Sequence, residues 1–77
     1  MIVSFSPGRV RLRFKELKNK AVAEQAYTRI MANPGITAVE VNPRTGSILI
    51  EYDPDALPLD QLMETGRREL ERLNIRL

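Results

Sequence analysis

Between Gly8 and Phe14 the chain alternates without exception: Val10, Leu12 and Phe14 stand between Arg9, Arg11 and Arg13. That is the period-2 pattern of a β-strand buried on one face. An unpaired guanidinium is too costly to enclose in an apolar interior. The strand therefore needs a layer packed on its aliphatic side, and its arginines need water or a partner. Ile2, Val3 and Phe5 read as a backward extension of the same strand, which Pro7-Gly8 breaks or bulges.

After Phe14 the period changes. Lys15 to Lys18 reads as a polar connection, with Asn19 as the N-cap of a helix. Val22, Ala23, Ala26, Tyr27 and Ile30 make one apolar stripe over Lys20 to Ala32. Asn33-Pro34-Gly35 stops that helix, because a residue before proline is pushed out of helical geometry. Ile36 to Val41 and Ser47 to Tyr52 then form a hairpin, with Val39, Val41, Ile48, Ile50 and Tyr52 in phase.

A second helix over Leu59 to Leu73 has Pro58 at its start and a stripe of Leu59, Leu62, Met63, Gly66, Leu70 and Leu73. Gly66, unfavourable inside a helix, is expected to permit a close approach. Met31 is expected at the margin of the core. Asn74 ends the helix, and Ile75 to Leu77 reads as a short last strand. Strand, helix, strand, strand, helix and short strand spell an α+β, ferredoxin-like βαββα(β) sandwich, an antiparallel sheet with two helices on one face. The first and third strands are central in that arrangement.

Residues 1–77 are enough for one domain with one thin core. With 43% hydrophobic and 29% charged residues, the composition is that of a folded globule. No stretch is long and apolar enough to span a bilayer, so the expected location is cytoplasmic, free or at the cytosolic face of a membrane. Cysteine and histidine are both absent. Thiolate and imidazole nucleophiles, the usual zinc ligand sets and disulfides are thereby excluded from this chain. The expectation is a protein that is not an enzyme and has no cofactor.

Charge is distributed unevenly. Residues 1–20 carry Arg9, Arg11, Arg13, Lys15, Lys18 and Lys20 against Glu16, and residues 45–65 carry Glu51, Asp53, Asp55, Asp60 and Glu64 with no base. If the aliphatic side of the first strand faces the helices, the opposite sheet face presents Arg9, Arg11 and Arg13. Beside them stand Ser47, Leu49 and Glu51 of the next strand, and Glu40 projects from an outer one. Two readings of that face stay open. One is a solvated surface with weak Arg–Glu cross-strand pairs. The other is a partner-binding surface of Arg9, Arg11, Arg13, Leu49 and Glu51, since guanidinium groups in register grip carboxylates or phosphates in bidentate fashion.

RNA recognition by such a sheet needs exposed aromatic platforms. Phe14 and Tyr52 fall in the buried phase instead, and nucleic acid is disfavoured. Asp53, Asp55 and Asp60 read as turn and helix-start chemistry more readily than as a calcium loop.

Three motifs resemble the heavy-metal-associated domain superfamily, and more closely its cysteine-free branch. They are Ser6-Pro-Gly-Arg-Val-Arg-Leu-Arg-Phe14, Asn33-Pro-Gly-Ile36 and Asn42-Pro-Arg-Thr-Gly-Ser-Ile-Leu-Ile-Glu-Tyr-Asp53. Domains of that branch stand alone or at the N-terminus of metal-transporting P-type ATPases. Typical members of the superfamily bind soft metals through Cys-x-x-Cys in the loop between first strand and first helix. Here that loop is Lys15-Glu-Leu-Lys-Asn-Lys20, so no metal ligand carries over.

The arginine-rich start is also similar to a motif of bacterial iron-storage compartments. The resemblance implies a docking module of a metal-transport or iron-storage system. Its partner would be a P-type ATPase or a compartment component. Independently of the resemblance, the exposed sheet face or an edge strand leaves self-assembly with a second copy open. The alternative is direct binding of a hard ion such as iron by Asp53, Asp55, Asp60 or Glu16.

Overall fold

The structure, a computed structural model, describes residues 2–75. Strands β1 (Ile2–Ser6) and β2 (Arg9–Arg13) lead into a single 3-10 turn (Lys15–Lys18) and helix α1 (Lys20–Met31). Strands β3 (Ile36–Asn42) and β4 (Ser47–Tyr52) and helix α2 (Leu59–Glu71) follow. The four strands make one antiparallel sheet in the order β1-β2-β4-β3. The expected α+β, ferredoxin-like architecture is present, and the arginine-bearing strand β2 and its neighbour β4 are central.

The two ends of the chain differ from the sequence expectation. Ile2–Ser6 does not prolong the arginine strand but folds back beside it as the edge strand β1, with Phe5 opposite Val10 and Ser6 opposite Arg9. Pro7-Gly8 is a two-residue turn rather than a bulge, and Gly8 has φ +80°. Proline followed by a residue of positive φ is what a type II turn requires, and glycine takes that φ without strain. A hairpin this tight has little loop entropy to overcome. It gives β2 its second neighbour and makes β1 one edge of the sheet.

Of that expected strand, Arg76 and Leu77 lie outside the described residues, and Ile75 is not in a strand. Ile75 is instead fully buried at the end of α2. Asn74, at φ +63°, turns the chain, and the amides of Asn74 and Ile75 donate to the carbonyls of Glu71 (3.0 Å) and Leu70 (3.0 Å). This left-handed closure satisfies carbonyls that the helix end leaves free.

The core lies between the sheet and both helices. Val10, Leu12, Phe14, Ile48, Ile50 and Tyr52 turn inward from β2, β4 and the residue after β2, and pack with Ala26 and Ile30 of α1 and Leu62 and Leu70 of α2. Both helices thus cover one face. Val39 and Val41 are only partly buried, as befits an edge strand, and Met31 and Met63 sit at the margin. Ile36 reaches the same side as Val39, three residues on. The register slips by one residue between Ile36 and Ala38, which restores the phase. Asn19 caps α1 as expected, its side chain accepting from the amides of Ala21 (2.9 Å) and Val22 (3.2 Å).

Three residues depart from their expected packing. Tyr27 is not core but 46% exposed. Leu17, in the stretch read as a polar connection, is fully buried. Gly66 permits no close approach, because a Cβ built there meets nothing within 4 Å. It borders a small void lined by Val10, Leu12, Ile50 and Leu62.

Gly66→Ala is therefore expected to stabilise the domain by about 1 kcal/mol through helix propensity. In a chain of this size that raises the thermal midpoint by about 4–8 °C. A melting curve checks it, and an unchanged or lower midpoint would mean that the methyl group does not fit.

Candidate functional site on the open sheet face

Because β2 is central and its aliphatic side is covered, its arginines stand on the side without helices. The strand register sets their neighbours. Arg9 lies opposite Glu51, Arg11 opposite Leu49 and Arg13 opposite Ser47 on β4. On the other flank, Ser6 and Ser4 of β1 are the partners of Arg9 and Arg11. Beyond β4, Ala38, Glu40 and Asn42 of β3 continue the same three rows.

The five residues singled out from the sequence, Arg9, Arg11, Arg13, Leu49 and Glu51, are thus gathered on one uncovered surface. The three arginines are exposed, whereas Leu49 and Glu51 are half-buried. Arg9 and Glu51 approach at 3.9 Å, a long contact between exposed groups that contributes little. Among the described residues, Arg11 and Arg13 form no ion pair. A shallow depression of about 160 Å³ runs between Arg11, Arg13, Glu40, Asn42, Ser47 and Leu49.

At the end of the sheet this surface continues into the stretch joining β2 to α1. The Phe14 amide donates to the Gly46 carbonyl (2.8 Å), and the Leu17 amide to the Phe14 carbonyl (3.1 Å). Leu17 enters the core, and Lys15 and Lys18 remain exposed. Asn42 organises the adjoining turn. Its carbonyl accepts from the Gly46 amide (2.9 Å), and its side chain accepts from the Arg44 amide (3.0 Å).

The acidic residues take structural positions. Asp53 accepts from the Asp55 amide (3.0 Å) and its own amide donates to the Gly35 carbonyl (2.9 Å), while Asp60 lies in the first turn of α2. Among the described residues no group of three or more Asp, Glu, His or Cys side chains converges as a metal site would require. On α2, Arg67 donates to Glu64 and to Glu71 and holds the Glu64 carboxyl below its ordinary range, chiefly by hydrogen bonding. With a depressed pKa, any stabilisation from Glu64 is present above the ordinary carboxylate range and fades as acid protonates it.

The molecule is thus a small α+β domain that covers one face of an antiparallel sheet and leaves an arginine-bearing face open. The chain belongs to the heavy metal associated domain 2 family, whose signature matches residues 1–68. It has no cysteine, so within this metal-related family it has no thiolate with which to hold a soft metal. No curated protein and no solved structure matches it. Among the described residues no helix is long and apolar enough to cross a membrane.

Proposed function

We propose that this domain is a non-enzymatic docking module of a metal-transport or iron-storage system, acting in the cytoplasm. It binds a protein partner through Arg9, Arg11 and Arg13, with Leu49 and Glu51 completing the surface. The observation that carries this reading is the row of three exposed guanidinium groups on an uncovered sheet face, with the half-buried Leu49 opposite Arg11. Arginine around a small apolar centre is a common composition of binding surfaces. The partner is a metal-transporting P-type ATPase or a component of an iron-storage compartment, and the metal itself is handled there.

Direct binding of a hard ion is the weaker reading, since Asp53, Asp55 and Asp60 serve the turn and helix start and do not converge with Glu16.

The test replaces Arg9, Arg11 and Arg13 together by serine and compares the proteins captured by each form from extract of the source cells. These side chains are exposed, so the fold is expected to survive. Capture of a P-type ATPase or storage component by the native chain, and its loss from the triple variant, is the expected result. An unchanged set of captured proteins would refute the docking role.

A further inference from the structure

We propose that the depression framed by Arg13, Lys15, Lys18 and Thr45 binds a multiply charged phosphate oxyanion. It lies at the end of the sheet, measures about 350 Å³ and is shallow. The proposal goes beyond docking through the open face and shares only Arg13 with it.

Two features of the backbone bring these groups together. Lys15 and Lys18 stand three residues apart in a 3-10 turn. Side chains at that spacing eclipse one another, so both ammonium groups leave on one side. The inward anchoring of Leu17 sets which side that is. The Phe14–Gly46 hydrogen bond then holds the turn bearing Thr45 against the same stretch. Arg13 arrives from the strand end, opposite Ser47. The hydroxyls of Thr45 and Ser47 are 2.7 Å apart and hydrogen-bonded, which adds a polar rim beside the guanidinium.

Three cations converge here from a strand end and a 3-10 turn, and among the described residues none of them is paired with a carboxylate. Glu16 is on the same turn and Glu40 borders the neighbouring depression near Arg11, yet neither neutralises the cluster. Like charges held together without counterions attract an anion of matching charge. A phosphoryl group supplies several acceptor oxygens at once for guanidinium, ammonium and hydroxyl donors. The ligand is a condensed phosphate or the phosphate group of a small ester.

The experiment titrates the full chain with inorganic tripolyphosphate at an ionic strength of about 0.01 M, where charges act over roughly 30 Å. Backbone amide NMR shifts report the site. Saturable shifts centred on Lys15 to Lys18 and Thr45-Gly46 are expected. Lys15→Gln with Lys18→Gln should weaken binding by about tenfold or more, as expected for loss of charge-assisted hydrogen bonds. The double arginine variant K15R/K18R should retain binding, and Arg9→Gln at the opposite end of the strand should change it little.

Inorganic phosphate is expected to shift the same amides at higher concentration, which separates the phosphoryl group from the longer chain. Absence of saturation, or equal weakening by Arg9→Gln, would show only diffuse attraction and overturn the site. Citrate binding as tightly as tripolyphosphate would overturn the preference for phosphate. None of these outcomes depends on whether the serine variant loses its protein partner, so the two proposals fail separately.

Discussion

Replacing Leu17 by alanine is expected to remove about 2–5 kcal/mol of stability, the range for truncating a buried leucine to alanine. A domain of this length has roughly 4–12 kcal/mol in total, so the variant should lose a large fraction of its stability. Leu17 is wholly inaccessible to water and belongs to the same cluster as Phe14, Ile30 and Ile48. Its place in a single 3-10 turn makes the loss larger than local structure suggests, because few backbone hydrogen bonds hold that turn once the side chain is gone. Urea denaturation measures the change as a lower midpoint at similar slope. A midpoint within error of the native one would mean that the connection between β2 and α1 is not anchored in the core. The basis for placing Lys15 and Lys18 side by side would then fall as well.

Gly46→Ala should be similarly damaging for a different reason. Gly46 has φ +72°, a left-handed conformation that costs a residue with a Cβ about 1–3 kcal/mol. A Cβ built at this position also collides with the carbonyl oxygen of Phe14. Backbone cannot move aside as a flexible side chain can, so relief of that clash strains or breaks the Phe14–Gly46 hydrogen bond. The combined loss is expected to exceed the conformational term alone, and the same denaturation experiment reads it. Because the turn would shift away from the 3-10 stretch, a surviving folded fraction should also show altered amide shifts at Lys15 to Lys18. Ordinary stability in Gly46→Ala would contradict the close approach of these two segments. Gly46 and Gly66 thus carry opposite expectations: one substitution meets backbone and the other meets space.

Much of this architecture is legible in local pattern. The alternation at Arg9 to Phe14 announces a one-sided strand because only one of its faces can enter a core. Asn19 announces a helix start, and Asn33-Pro34-Gly35 a stop, through backbone geometry that depends on immediate neighbours. The β4 limits, Ser47 to Tyr52, and the start of α2 at Leu59 follow for the same reason.

The misread positions are those whose state depends on distant residues. Tyr27 completes an apolar stripe, yet it lies against the edge strand β3, where a shallow groove leaves half of it in water. Leu17 stands among lysines, and no periodicity marks a single buried residue in a short turn. Ile2 to Phe5 could continue a strand or reverse beside it, and the difference rests on which neighbour the folded sheet makes available. The five face residues were recognisable because strand phase alone puts Arg9, Arg11 and Arg13 on one side. The convergence of Lys15 and Lys18 with Arg13 and Thr45 was not, since Thr45 comes from a hairpin turn some thirty residues later in the chain.

By itself, then, the order of residues determined the alternating strand, the two helices and the absence of thiol and imidazole chemistry. These follow from spacing over a few positions and from which side chains are present at all. Only the tertiary structure decided that the amino-terminal segment becomes an edge strand beside β2, that Leu17 pins the lysine-bearing turn, and that four charged or hydroxylic groups meet at one end. Each of those outcomes requires contact between segments far apart in sequence. Such contacts are chosen by the free energy of the whole packed chain rather than by the preferences of any one stretch.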